Sequence, residues 1–407
     1  MNILFIGMNF KPEKIGIGKY SGELVDSMRK YGHKVDVITT YPFYPEWKIQ
    51  KQYAKKIMLY KYEPEVDTVR CPIYVPKKIN FLNRLIHYFT FLISIIPILI
   101  MKLFKNYDLV YLVVPSIIMM PLLIIFTKIK KIKFIVHVQD IETAAAISML
   151  EIKNLKMIEV ISKLERYMYE KVDMVITISE NMSSYFMKFS KINRHFLLRN
   201  WVETNNYESK YDIKKIREKY NLEEKDFIIL YSGSIGWKQG TEILLKTSEK
   251  LNELNVCNYK MVISGDGPDK EYLKHISQNN KNILWLPLQE ENLFADFMSM
   301  ADIHLITQKK EMTNYLMPSK LTSIFASGKP VIAQTNGGTE LEEMIKNAGV
   351  TVKIDECDEL VSAILYLKNN DKIRCSYGKN AKAKAYEYYD KQKLLSNLNN
   401  KLIEIIK

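Results

Sequence analysis

The sequence predicts an α/β protein built from two doubly wound domains, and three observations carry that reading. Short apolar patterns such as NILFIGM, KVDVITT, LVYLVV, FIVHV and MVITIS alternate with helical periodicity through the first half, an order that builds a parallel sheet with helices on both faces. The alternation lapses after Phe196, where LLRNWVETNNYESKYD is polar and turn-rich, and it resumes from Lys225. The 407 residues, 47% of them hydrophobic and 26% charged, suffice for two or more globular domains. The expected first domain is 1–203, the second 204–385, and 386–407 is a closing helical segment. Two doubly wound domains facing each other would form a cleft at the carboxyl ends of their strands, where such sheets bind ligands.

The opening pattern MNILFIGMNF has no basic leader and reads as a strand rather than a secretory signal. KPEKIGIGKYSGEL then places Gly16 and Gly18 ahead of a helix. A dinucleotide fingerprint is excluded here. The following strand, in HKVDVITTYP, ends without the acidic residue that binds a ribose, and the loop before the glycines is long. Further on, FIVHVQDIETAAA sets His137, Gln139, Asp140 and Glu142 at or just past the end of a strand, where polar side chains face the crevice. Residues 147–170 then read as a long amphipathic helix.

Charge is unevenly distributed. Residues 1–200 hold 30 Lys and Arg against 17 Asp and Glu, whereas 201–407 hold 29 of each, so the whole +13 excess lies in the first half. That half also carries the most apolar runs, Tyr88 to Met101 and Leu109 to Phe126, flanked by Lys102, Lys105, Lys128, Lys130, Lys131 and Lys133. Pro97 breaks the first run, which falls short of a span; Pro115, Ser116 and Pro121 split the second into a strand and a helix. A transmembrane helix is therefore not expected. Buried elements and a monotopic membrane face both fit the hydrophobicity, and the lysines favour the membrane. A nucleic-acid site is disfavoured, because aromatics do not interleave with the basic residues. Cys71, Cys257, Cys357 and Cys375 have neither metal-ligand nor disulfide-framework spacing, which suits a reducing compartment.

The second half holds the sharpest motif. DFIILYSGSIGWKQG (Asp226 to Gly240) runs a buried strand into Gly233 and Gly236, with Lys238 and Gly240 where a helix opens. Glycines let backbone approach an anion closely, and a lysine with a helix's unpaired N–H groups favours phosphate. MVISGDGP (Met261 to Pro268) is a second strand and glycine turn, with Gly265 and Asp266. ADIHLI (Ala301 to Ile306) is a third strand, and MPSKLTSIFASGKPVIA (Met317 to Ala333) carries a helix into a further strand. In this order the segments resemble the donor domain of the retaining glycosyltransferases of family 4, of GT-B fold. The PSKL form looks like the branch that builds capsule, O-antigen and colanic-acid repeat units.

The resemblance covers nearly the whole chain and implies roles for its residues. Gly16, Gly18, Gly233, Ser234, Lys238, Ser319 and Lys320 would hold the donor diphosphate, and Gly265, Asp266, Ser323 and Glu340 the nucleoside. Lys238 would also serve the leaving group, which gains negative charge as the glycosidic bond breaks. On the acceptor side, Asp140 is favoured over His137 as the polar group nearest the reacting sugar, with Asp140 or Glu142 available as a base. Asn200, Trp201, Val202 and Glu203 resemble a family interdomain element, and the closing helix would cross back to the first domain. The sequence also departs from the family. Ser234 stands where many members have Arg or Asn, and Tyr315 and Ser323 stand where many carry two glutamates. Ribose recognition is thereby left without its usual carboxylate, for which Glu340 is a substitute.

The implied activity is transfer of a sugar, with retention and without metal or other cofactor, from a nucleoside-diphosphate donor, UDP favoured. The acceptor would be a polyprenyl-diphosphate-linked sugar at the cytoplasmic membrane face. A sugar-nucleotide epimerase or phosphorylase-like enzyme of the same fold, and a catalytically weakened membrane scaffold, are the alternatives.

Overall fold

Strands covered on both faces become continuous apolar runs, and such runs form the centre of each sheet. In the computed structural model, which is described for Met1–Lys407 apart from residues 55–59, 64–66, 79–80, 116, 142–154, 189–193, 209–212 and 311–316, two compact units are found. One is Met1–Arg199 with Leu395–Lys407; the other is Asn200–Leu394. The division therefore falls after Arg199 rather than at 203, and the return begins at Leu395 rather than 386.

The first unit is built on strands β1 (Asn2–Gly7), β2 (Lys34–Thr40), β3 (Lys61–Glu63), β4 (Thr68–Cys71), β5 (Leu109–Val114), β6 (Lys133–Val138), β7 (Met174–Thr177) and β8 (His195–Leu197). They lie in the order β3-β4-β2-β1-β5-β6-β7-β8. Every pair is parallel except β3 with β4. The chain steps outward in one direction from β1 to β2 and in the other from β5 onward, which sets the topological reversal between β1 and β5. Leu4, Ile6, Val110, Leu112, Val136 and Val138 are fully buried on one face of this sheet, each such side chain contributing roughly 1.5–3 kcal/mol.

Two helices of this unit differ from expectation. The helix Phe81–Lys102 runs straight through Pro97, which had been expected to break the run. There the Ile93 carbonyl has no i+4 N–H to accept from, because proline has none. By length and composition alone this helix could cross a membrane. The helix Gly16–Lys30 begins at Gly16 itself, so Gly18 lies within it rather than ahead of it. The amphipathic stretch is described as a helix over Leu155–Tyr169.

The second unit holds β9 (Phe227–Ser232), β10 (Tyr259–Ser264), β11 (Ile283–Leu286), β12 (Ile303–Ile306), β13 (Val331–Gln334) and β14 (Gly349–Val352). Their order is β11-β10-β9-β12-β13-β14, all parallel, with the reversal between β9 and β12. Alternate residues of β9 feed two separate cores: Ile228 and Leu230 enter one, Ile229 and Tyr231 the other. Residues 201–204 of the polar segment after Phe196 are firmly fixed. Trp201 is 2% exposed, Val202 N donates to Tyr389 O at 2.9 Å and Lys391 N to Val202 O at 3.1 Å, and Thr204 Oγ1 bonds Asp390 Oδ2 at 2.5 Å.

Candidate active site

In the second unit the turn leaving β9 stands at the sheet's reversal, the position where doubly wound folds take their ligand. Gly233 has φ +148°, a conformation open to glycine. Its N–H donates to Ser264 O at 2.9 Å, and Ile235 N donates to Asp266 O at 2.9 Å, so the two glycine turns are joined backbone to backbone. A Cβ on Gly265 would collide with Gly233 O, and one on Gly267 with Ile235 O. Gly265, expected at the nucleoside, thus has a structural task first. The Asp266 carboxylate accepts from Gly267 N at 2.9 Å and remains largely exposed.

The helix after this turn opens later than the sequence suggested. Trp237–Gln239 form a short 3-10 turn, Gly240 is left-handed at φ +59°, and the α-helix is Glu242–Glu253. Gly240 separates the two, because a left-handed residue cannot continue a right-handed helix. Lys238 therefore sits on the 3-10 turn, and its side chain lies outside the described residues.

Lys320 is the cation that meets the turn. It opens the short helix Lys320–Ala326, with Ser319, exposed, at its N-cap. A Cβ on Gly233 would lie 2.9 Å from Lys320 Nζ. The ammonium stands 3.9 Å from the centroid of the Tyr231 ring. It is buried without a hydrogen-bond partner among the described residues, although part of the side chain is accessible. Burial pushes its pKa down to about 7. Tyr231 also stiffens the turn, its hydroxyl donating to Ser234 O at 2.6 Å, while Ser234 itself is exposed. Ser323, part-exposed, is three residues on from Lys320 and shares its helix face. Such an arrangement offers a desolvated positive charge against bare backbone, which suits a phosphate oxygen. Tyr231 was not singled out from sequence. Its only trace there is an aromatic two residues before the glycine.

Glu340, part-buried, begins the helix Glu340–Ile345 beyond β13, where Thr339 Oγ1 caps Glu342 N at 3.3 Å. The neighbouring Gly337 and Gly338 face open space. Tyr315 lies outside the described residues.

In the first unit the glycines serve the protein itself. A Cβ on Gly18 would stand 2.5 Å from Glu13 Oε2, and one on Gly22 would collide with Lys11 Cγ. Glu13 is buried, and its carboxylate accepts from Asn9 Nδ2 (3.0 Å), Phe43 N (3.1 Å) and Tyr44 N (3.0 Å). Burial raises its pKa against the lowering effect of those donors. Of Gly16, Gly18 and Gly22, Gly16 has the left-handed φ, at +60°.

His137 does not have the character of a catalytic group. It is 1% exposed, Nδ1 lies 3.0 Å from the Tyr111 hydroxyl and Nε2 lies 3.1 Å from Gln139 Nε2. Burial pushes its pKa down to about 3, so the ring is neutral at physiological pH. Its place among the catalytic candidates is corrected: it is a satisfied core histidine. Asp140 stands part-buried just beyond β6, and Glu142 lies outside the described residues. Among the described residues, no group of three or more His, Cys, Asp or Glu could hold a metal ion.

Two doubly wound units, the second with a glycine turn backed by a lysine, make up the GT-B fold, which solved structures similar to this chain share. Comparison with known proteins agrees. Residues 212–384 match the family described as "Glycosyl transferases group 1". The chain is 32% identical over 377 residues to the putative colanic acid biosynthesis glycosyl transferase WcaI of Escherichia coli K12, covering 89% of this chain and 91% of that one. In structure it is similar to sucrose-phosphate synthase from Thermosynechococcus elongatus, with TM-score 0.72 and 14% identity over 99% and 98% of the two chains. It is also similar to Anabaena Alr3699/HepE in complex with UDP, with TM-score 0.71 and 16% identity over 99% and 100%. The chain belongs to the group 1 glycosyl transferases.

Proposed function

We propose that this enzyme transfers a hexosyl or N-acetylhexosaminyl unit from a nucleoside-diphosphate-sugar, with UDP the favoured nucleotide. The acceptor is a polyprenyl-diphosphate-linked sugar at the cytoplasmic face of the membrane, in assembly of a bacterial surface polysaccharide. The observation that carries the donor side is the buried Lys320 ammonium against Gly233, without a hydrogen-bond partner among the described residues. A fixed cation in a desolvated site stabilises the charge that grows on the leaving diphosphate and needs no metal to do so. UDP is favoured because Alr3699/HepE, of the same fold, has been solved with UDP and with UDP-glucose. The polysaccharide assignment rests on the colanic acid relative.

Transfer with retention breaks the anomeric carbon–oxygen bond to the diphosphate and forms the bond to the acceptor oxygen on the same face. The departing phosphate oxygen takes the acceptor proton, so charge and protons balance without a buried enzymic base. Neutral, enclosed His137 fits that scheme, and Asp140 or Glu142 is the polar candidate near the sugar. Thermal stabilisation by UDP, GDP, ADP and CMP, each tested beside Lys320→Ala, decides the donor side: a ligand at 100 times its Kd adds about 2.7 kcal/mol. Selective stabilisation lost in the variant is the expected result; no shift with any nucleotide would refute it.

A further inference from the structure

The helix Phe81–Lys102 has an outward face unlike that of a soluble protein. Leu82, Ile86, Phe89, Ile93, Ile96 and Ile100 are exposed at steps of four and three residues, one stripe of an α-helix, with Ile93 64% accessible. Every exposed side chain described between Leu82 and Met101 is apolar. Phe104, 89% exposed, extends the stripe past the helix. The bond from Lys130 Nζ to Leu103 O at 2.8 Å sets the end of the helix Met120–Lys130 beside it. That second helix adds exposed Ile125 and Ile129.

The inward face is fastened to the domain. Phe91, Ile95 and Leu99 are in the core. Tyr60 donates to Ser94 O at 2.7 Å, Thr90 Oγ1 accepts from Tyr74 N at 3.1 Å, and His87 Nδ1 meets Tyr74 O at 2.5 Å. A helix held this way cannot leave the domain to span a bilayer, but it can lie along one.

The lysines that suggested an electrostatic attachment are mostly occupied. Asp36 receives Lys102 Nζ at 2.5 Å, Lys105 Nζ at 2.8 Å and the Tyr107 hydroxyl at 2.5 Å. Burial alone would raise the Asp36 pKa, but these donors outweigh it and hold the carboxylate below its ordinary range. Lys130 is bound to Leu103 O, and Lys133 pairs with Asp173 at 3.0 Å. Of the six flanking lysines, Lys128 and Lys131 present exposed side chains without such a bond.

Building on the membrane reading above, we propose that the helix Phe81–Lys102 is the inserted element, its outward stripe seated among acyl chains, and that the attachment is apolar rather than electrostatic. A lipid surface fits better than a protein. The stripe offers no hydrogen-bonding side chain, whereas protein interfaces carry about one hydrogen bond per 100–200 Å². Neither helix contains an Asp or Glu, and exposed Lys77, Lys78, Lys128 and Lys131 lie near their ends, at the height of head groups.

The test is flotation of the full chain with phosphatidylcholine vesicles and with vesicles containing phosphatidylglycerol, at low salt and at about 0.5 M salt, where charge is screened within a few ångströms. Binding to the neutral vesicles, changed less than about threefold by salt or by Lys128→Glu with Lys131→Glu, is expected. Ile93→Glu with Ile100→Glu should weaken it at least about tenfold while the nucleotide-dependent thermal shift is kept. Ile93→Trp should be quenched by bromine-labelled lipid beyond the four native tryptophans. Binding only to anionic vesicles and lost in salt would overturn the apolar mode and leave the membrane reading standing. No binding to either vesicle overturns both. A dimer in sedimentation that Ile93→Glu dissociates would assign the stripe to a second copy instead.

Discussion

The first strand of each domain is followed by a glycine-bearing segment, and the two use the space of a missing side chain in opposite ways. After β1, Gly18 and Gly22 make room for Glu13 and Lys11, so the loop folds onto its own helix. After β9, Gly233 has against it an ammonium that lies on the Tyr231 ring but has no hydrogen-bond partner among the described residues. Glycine spacing alone does not separate a packing device from a ligand turn. What separates them is whether the group facing the glycine already has its partners.

The sharpest way to break that comparison is to remove the unsatisfied group. Lys320→Met is expected to lower kcat/KM by about 10²–10³, the range for losing one preorganised charge-stabilising contact, while leaving the fold intact. Steady-state kinetics beside a melting curve check it, and a rate within threefold of the parent would show that another cation serves the diphosphate. Next in size is Gly265→Ala. Its Cβ would enter the Gly233 carbonyl, and both overpacking and a strained φ cost about 1–3 kcal/mol; denaturant unfolding should show a loss near the sum, with nucleotide binding abolished. Gly18→Ala is expected to cost about 1–3 kcal/mol through the clash with Glu13 without changing nucleotide Kd. If calorimetry instead found the Kd raised tenfold, the first turn would have a ligand role too.

A further effect is in pH. Lys320 has a folded pKa of about 7 against 10.5 for a free lysine. Between those values the unfolded chain binds the extra proton, so the penalty of burying the ammonium is full below pH 7 and fades as pH rises towards 10.5. Bound diphosphate reverses the preference by favouring the charged amine. Nucleotide affinity is therefore expected to fall as pH rises above about 7, approaching tenfold per unit, with proton uptake visible as a buffer-dependent enthalpy. An affinity flat across that range would show that the amine is already charged. No histidine step from His137 is expected between pH 5 and 8.

Much of this fold was legible in the sequence because its central strands are uninterrupted apolar runs; β1, β5, β9 and β12 could be read directly. The strands that were not read, β3, β4, β8, β11 and β14, lie at or next to the edges of their sheets, where cover on both faces no longer enforces a continuous apolar run. Lys320 was legible as a motif. Its ring partner Tyr231 was not, since their proximity comes from the sheet's reversal. The partners of the lysines around the apolar runs were not legible for a similar reason: Asp36 lies 66 residues from Lys102 and 69 from Lys105, and only the folded chain brings them together.

The return of the chain into the first unit has a consequence for how the protein is made. Leu398, Leu402 and Ile405 are buried, and Asn399 Oδ1 lies 2.8 Å from His33 Nε2. The unit to which they belong, Met1–Arg199 with Leu395–Lys407, is interrupted by the whole of the other. During vectorial synthesis the residues of the second unit are therefore made before Leu395–Lys407 can complete the first, against the usual order in which N-terminal domains mature first. Until then His33 has no Asn399, and the nascent first domain lacks its last helix while its apolar stripe is already outside the exit tunnel.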